Sequence, residues 1–108
     1  LYPGLEDHRD HTVASQIMDG FGGMLSIVLK GGGAAADRFM DALELAIVAP
    51  SLGGVETLVS QPRYTSHAGL SAVQLSEQGI EDGFVRISVG VEDVGDLIAD
   101  FSQALETL

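Results

Sequence analysis

Phe84-Val85-Arg86-Ile87-Ser88-Val89-Gly90-Val91-Glu92-Asp93, with the run from Val94 to Leu108 behind it, decides how this chain folds. Residues Phe84 to Val89 alternate as a strand does. Val85, Ile87 and Val89 face one side, and Phe84, Arg86 and Ser88 face the other. Val94, Leu97, Ile98, Phe101, Leu105 and Leu108 then recur at helical spacing. Glu92 and Asp93 fall in the first turn, where the helix dipole favours negative charge. Gly95 costs that helix about 1 kcal/mol relative to Ala. Each buried Leu, Ile or Phe contributes about 1.5–3 kcal/mol, so the stripe outweighs the glycine. The acidic residues of this helix read as a solvated face.

The remaining elements are shorter. Tyr2-Pro3-Gly4-Leu5 reads as a turn. A first helix runs from about Asp7 or Asp10 to Met18, with Val13, Ala14, Ile17 and Met18 on its apolar side and Gly20, Gly22 and Gly23 ending it. Met24 to Leu29 is a buried strand, broken by Gly31-Gly32-Gly33. Ala34 to Ala46 predicts a second helix with Phe39, Met40, Leu43 and Ala46 on one face. Ile47 to Ala49 is a short strand stopped by Pro50, and Glu56 to Ser60 another closed by Pro62. The stretch from Arg63 to Leu70 is polar and irregular. Ser71 is the expected N-cap of a helix through about Gln78, with Gly79 as its stop. The order is α-β-α-β-β-α-β-α. At least one neighbouring pair of strands is too closely connected for a parallel crossover. The expected fold class is α+β: a mostly antiparallel four-stranded sheet with helices packed on one face.

A chain of 108 residues, 45% of them apolar, fits one ordered domain. Five basic residues against sixteen acidic ones give a formal net charge of −11. Such a surface repels phosphate backbones and anionic membranes, so neither nucleic acid nor membrane is an expected partner. No apolar run approaches the roughly 20 residues needed to span a bilayer. Leu1 to Asp7 has neither the basic nor the apolar region of a signal peptide. It also lacks an initiator Met, as expected of a fragment or processed chain. Cysteine is absent, which excludes disulfides and thiolate chemistry and is compatible with a cytoplasmic location.

Arg86 is the first chemical candidate, because it sits inside an otherwise apolar strand. It either pairs with an acidic neighbour or offers a bidentate site to a carboxylate. Ser51-Leu52-Gly53-Gly54 is the second. Two glycines allow positive φ and close approach, so the loop either simply connects strands or presents amide N–H groups to an anion. His8 and His11 have no third ligand near them in sequence and read as polar contacts rather than a metal site. His67 reads as a loop hydrogen bond or a residue at a site's mouth. Gly31-Gly32-Gly33 lacks the Lys and Ser/Thr of a phosphate loop and reads as a β–α turn.

Two segments, Pro50-Ser51-Leu52-Gly53-Gly54-Val55-Glu56-Thr57-Leu58 and Val85-Arg86-Ile87-Ser88-Val89-Gly90-Val91-Glu92-Asp93, resemble the C-terminal domain of the trans-sulfuration family. These are the pyridoxal-phosphate enzymes of cysteine and methionine metabolism. Tyr2-Pro3-Gly4-Leu5, His8, His11 and Gly20-Phe21-Gly22-Gly23-Met24 look like the family's lead into that domain. Thr65-Ser66-His67-Ala68-Gly69 and Gly79-Ile80-Glu81-Asp82 look like its later loop.

The resemblance implies the small C-terminal domain of a fold-type I pyridoxal enzyme. Residues 1–23 would be its linking segment and residues 24–108 the substrate-binding domain, with the large cofactor-binding domain lying outside this chain. Ser51 and Arg86 would together bind the α-carboxylate of an amino-acid substrate. Family members hold pyridoxal 5'-phosphate on a lysine. The only lysine here, Lys30, sits at a strand end running into a turn, so no catalytic or cofactor-binding residue is expected in the chain, and alone it should be inactive. The family's residue before the serine is glutamate in many γ-lyases and bacterial synthases. Pro50 instead resembles plant-type members. The implied activity is cystathionine γ-synthase-like, replacing the γ-substituent of an activated homoserine ester with cysteine. The alternative is a γ-lyase acting on cystathionine or methionine. The implied assembly is a homotetramer. Outside the family, the residues also fit a non-catalytic acidic domain that binds carboxylates or partners.

Overall fold

The structure, a computed structural model, describes residues 1–108. Its elements are α1 (His11–Ile17), β1 (Met24–Val28), α2 (Gly32–Ala42), β2 (Ile47–Val48), β3 (Leu58–Ser60), a 3₁₀ turn (Pro62–Tyr64), α3 (Ala72–Glu77), β4 (Phe84–Ser88) and α4 (Val94–Glu106). The strands form one sheet in the order β1-β4-β3-β2. β4 is antiparallel to β1 and to β3. The fold is therefore α+β with a mostly antiparallel sheet.

One pair departs from the expected connection rule. β2 and β3 are parallel, although only residues 49–57 join them, fewer than the dozen or so a crossover usually needs. The short path suffices because β2 pairs over just two residues, Ile47 with Leu58 and Val48 with Val59.

Register puts Leu25, Ile87 and Val59 side by side, with Ile27 beside Val85. This face packs against α2 and α4 through Ala35, Ala36, Phe39, Met40 and Ala104. Phe39 stacks on Phe101 across the two helices, 6.2 Å between centroids. The opposite face carries Met24, Ser26, Leu58, Ser60, Arg86 and Ser88, and no helix of the core covers it. The N-terminal residues run beside β1, where Leu1 and Ser26 exchange two hydrogen bonds. α1 buries only Ala14, and Val13, Ile17 and Met18 are exposed.

The Ser71 cap holds as a full capping box with Gln74. Two expectations about helices are corrected. α2 ends at Ala42 rather than Ala46, and the acidic face of α4 is not wholly solvated. Both have one cause. Asp100 is 6% exposed, and its carboxylate accepts the N–H groups of Glu44, Leu45 and Ala46 at 2.8–2.9 Å. Those N–H groups therefore do not continue the helix. On the apolar stripe of α4, Leu97 is buried, but Val94, Ile98, Leu105 and Leu108 are exposed, and the innermost position is Ala104. No helix is long and apolar enough to cross a membrane.

Burial alone would raise the Asp100 pKa, but the N–H donors of Ala46, Glu44 and Leu45, with the Gln103 amide, outweigh it and hold the carboxyl below its usual range. A group with a lowered folded-state pKa adds stability above its unfolded value and loses it as pH falls through the folded one. Stability should therefore decline as the pH drops below about 4. Asp100→Ala should remove part of that acid slope and destabilise the chain by about 2–4 kcal/mol at neutral pH, since it strands the buried Ala46 N–H and two partly solvated ones. Urea unfolding at pH 7 and pH 3.5 checks both. An unchanged midpoint would show that Asp100 does not hold this junction.

Candidate functional site

β4 lies between two strands, so its side chains are fixed by pairing on both edges. Arg86 projects from the open face, flanked in register by Ser26 on β1 and Ser60 on β3. Its Nη2 donates to the carbonyls of Pro50 at 2.8 Å and Ser51 at 3.2 Å. Thus Arg86 and the Ser51 loop meet. No carboxylate reaches the guanidinium: the ion pairs of the chain are Arg9–Asp10, Arg63–Asp37 and Arg63–Asp82. In a chain with sixteen acidic residues, this cation has been left unpaired, with Nε and Nη1 free to donate. Ser51 is exposed, and its hydroxyl makes no hydrogen bond within the chain.

The loop that carries Ser51 is held down by the strand that carries Arg86 and by the turn after it. Ser88 Oγ accepts from Gly53 N at 2.9 Å, and Gly53 has φ +76°. Val91 N donates to Val55 O. The Glu92 carboxylate accepts both the N–H and the hydroxyl of Thr57, at 2.7 and 2.8 Å, and Thr57 Oγ1 accepts from Gly90 N. A Cβ at Gly90 would run into the Val55 carbonyl and the Glu92 carboxylate, so only glycine permits this approach. The Thr57 N–H, the Glu92 N–H and the Thr57 hydroxyl hold the Glu92 carboxyl below its usual range. This clasp also explains why β3 starts at Leu58 and not at Glu56. Sequence reading assigned Glu92 only to a helix dipole. Its true partner lies 35 residues away and leaves no local signal.

Beside this pair, a cavity of about 520 Å³ opens between α2, Pro50 at the end of β2, and the turn out of β3. Ser60 lines it, is 3% exposed, and its Oγ has no hydrogen-bond partner. Leaving a buried hydroxyl unpaired costs about 1–3 kcal/mol. The cavity's charged lining residues are Asp37 and Asp41. Gln61 donates to Asp37 at 2.9 Å and Arg63 at 3.0 Å, and these hold its carboxyl below the usual range against some burial. Arg63 also bonds Asp82 and the Gly33 carbonyl, tying the 3₁₀ turn to the start of α2. A side chain at Gly33 would collide with that guanidinium, so the glycine run is there for packing.

The histidines serve local contacts. His8 Nδ1 accepts from Asp10 N, His11 bonds the Pro3 carbonyl and stacks on Phe21, and His67 pairs with Ser66. No group of three metal-ligating side chains converges. Lys30 is exposed in the turn between β1 and α2, two residues past the end of β1.

If Glu92 holds the loop, Glu92→Ala should speed amide hydrogen exchange at Thr57, Gly90 and Gly53 by about tenfold or more while leaving β1 and α2 protected. Equal exchange in the two proteins would mean that backbone pairing alone fixes the loop.

The profile of the Cys/Met metabolism PLP-dependent enzymes matches residues 1–106. The chain is 47% identical over 105 residues to cystathionine gamma-synthase of Mycobacterium leprae, covering 97% of this chain and 26% of that protein. It is 42% identical over 106 residues to cystathionine gamma-lyase of Dictyostelium discoideum, covering 98% of this chain and 27% of that one. Among solved structures, cystathionine gamma synthase from Xanthomonas oryzae pv. oryzae in complex with cystathionine matches with a TM-score of 0.90 and 41% identity, over 97% of this chain and 27% of that one. The chain thus spans about a quarter of the length of the relatives it matches. It belongs to the family of pyridoxal-phosphate-dependent enzymes of cysteine and methionine metabolism.

Proposed function

We propose that this chain supplies the carboxylate-binding half of the substrate site in an enzyme that works on a sulfur amino acid. The observation that carries the reading is the unpaired guanidinium of Arg86 beside the free hydroxyl of Ser51. Arg86 would take the substrate α-carboxylate through its free donors, and Ser51 would add a hydroxyl donor. Holding the carboxylate fixes the orientation of the Cα–H bond, and orientation is a large part of what a protein contributes to such a reaction. When bound, pyridoxal phosphate supplies the electron sink. In this reading the cofactor belongs to a larger domain outside residues 1–108, with residues 1–23 leading into residues 24–108.

Within the family, a cystathionine γ-synthase-like replacement of the γ-substituent of an activated homoserine ester by cysteine is our first choice. Ala49-Pro50-Ser51 supports it, because plant-type cystathionine γ-synthases resemble this chain there, whereas many γ-lyases and bacterial synthases carry glutamate before the serine. A γ-lyase acting on cystathionine or methionine is the second reading, supported by the matches to relatives of that name. The working enzyme would be a cytoplasmic homotetramer.

Two results are expected. The 108-residue chain alone, mixed with pyridoxal phosphate, should develop no protein-bound visible absorbance and release no 2-oxo acid. In the complete enzyme, Arg86→Ala should lower kcat/KM for the amino acid by about 10²-fold or more, and Arg86→Lys should restore only part of it. Steady-state kinetics decide the point. Unchanged kinetics in Arg86→Ala would assign the carboxylate to another residue.

A further inference from the structure

We propose that the outer edge of β1 docks the segment that precedes Leu1 in the complete enzyme, which enters the domain as a fifth strand antiparallel to β1. The inference rests on the reading above, that a larger domain lies outside residues 1–108. The directions of the backbone groups along β1 carry it. Gly23 O accepts from Val89 N at 2.7 Å and Leu29 N donates to Gly83 O at 3.0 Å, so the odd-numbered residues from 23 to 29 turn their backbone groups toward β4. The even-numbered ones turn theirs outward. Ser26 shows what that edge accepts. Leu1 N donates to Ser26 O at 2.7 Å and Ser26 N donates to Leu1 O at 3.0 Å, a complete rung of an antiparallel ladder.

From that rung the ladder can grow in one direction only. Residue 3, which would face Met24, is a proline without an N–H, and the chain bends away there in a turn closed by Leu5 N on Tyr2 O. The Pro3 carbonyl is already held by His11. At the other end, Val28 is 37% exposed on an edge strand, and no partner meets its outward N–H and carbonyl. The second residue before Leu1 would face Val28 and exchange the next two bonds. The residue immediately before Leu1 would sit beside Ile27, on the face that α2 and α4 cover. Leu25 and Ile27 are only partly buried there, so that neighbour should be apolar. Leu1, Ser26 and Arg86 lie in one row, which sets the entering strand roughly 10 Å from the strand of Arg86. The connection to the larger domain would thus hold the Arg86 face in a fixed orientation.

The test is amide hydrogen exchange of the complete enzyme, read at single residues by mass spectrometry. The amides should alternate along the entering segment. Ser26, Val28 and the second residue before Leu1 should exchange about a hundredfold or more slower than the residue immediately before Leu1, whose N–H points away from β1. Peptide sequencing of the same sample should find an apolar side chain at that immediately preceding position. Fast exchange at Val28 in a longer chain would overturn the strand and leave the carboxylate-binding reading standing. Slow exchange at Val28 without alternation before Leu1 would mean that another segment or a second copy covers the edge, and it too overturns the proposal. So does a charged residue immediately before Leu1, which contradicts the register. A native protein that consists of these 108 residues alone would overturn both the strand and the larger-domain reading.

Discussion

One carboxylate, Glu92, holds Thr57 by its N–H and its hydroxyl, and the position of the Ser51 loop follows from that contact. Thr57 is the last residue before β3, and it is fully buried. Fixing it sets where β3 begins and sends residues 51–56 back across the open face of the sheet. Ser88, one pleat along β4 from Arg86, then anchors Gly53. The loop is therefore registered against the same strand that carries the arginine. Its carbonyls at Pro50 and Ser51 meet the guanidinium because β4 aligns both anchors.

The charge distribution is economical with cations. Of five, Arg9 pairs locally with Asp10 at the exposed N-terminal end, and Arg63 ties three segments together. Lys30 and Arg38 are exposed. Arg86 alone is half-buried, on the central strand and without an acid. Keeping a guanidinium unpaired among so many carboxylates requires geometry that excludes them. Here its neighbours in register are Ser26 and Ser60, and its loop contacts are carbonyl oxygens. Carbonyl dipoles orient the group without cancelling its charge, which is what the proposed carboxylate-binding role would require.

Local patterns in the sequence carried much of this fold. The alternation of Phe84 to Ser88, the Ser71 N-cap and the Phe39 and Met40 side of α2 depend on near neighbours, and each stands in the structure, whereas Leu43 and Ala46 fall beyond the end of that helix. The pairing of Arg86 with the Ser51 loop was legible only through resemblance, since the alternation by itself allowed an ordinary ion pair. What could not be read depends on distant partners. Asp100 looks like any polar residue on a helix until the N–H groups of Glu44, Leu45 and Ala46 arrive from another segment. Glu92 and Arg63 are similar cases. Ser60 is one more small residue in a strand, and only packing reveals that its hydroxyl is buried without a partner. The parallel pairing of β2 and β3 escaped because its connection is shorter than a crossover normally allows.

The most direct measurement is the guanidinium signal of Arg86 in the isolated chain, followed by NMR while an amino acid with a free α-carboxylate is added. The Arg86 side-chain resonances and the Ser51 amide should shift together and saturate, with the corresponding amine lacking the carboxylate producing no such change at these two residues. An Arg86 signal that stays fixed throughout, or that already reports a carboxylate partner before any ligand is added, would contradict the account.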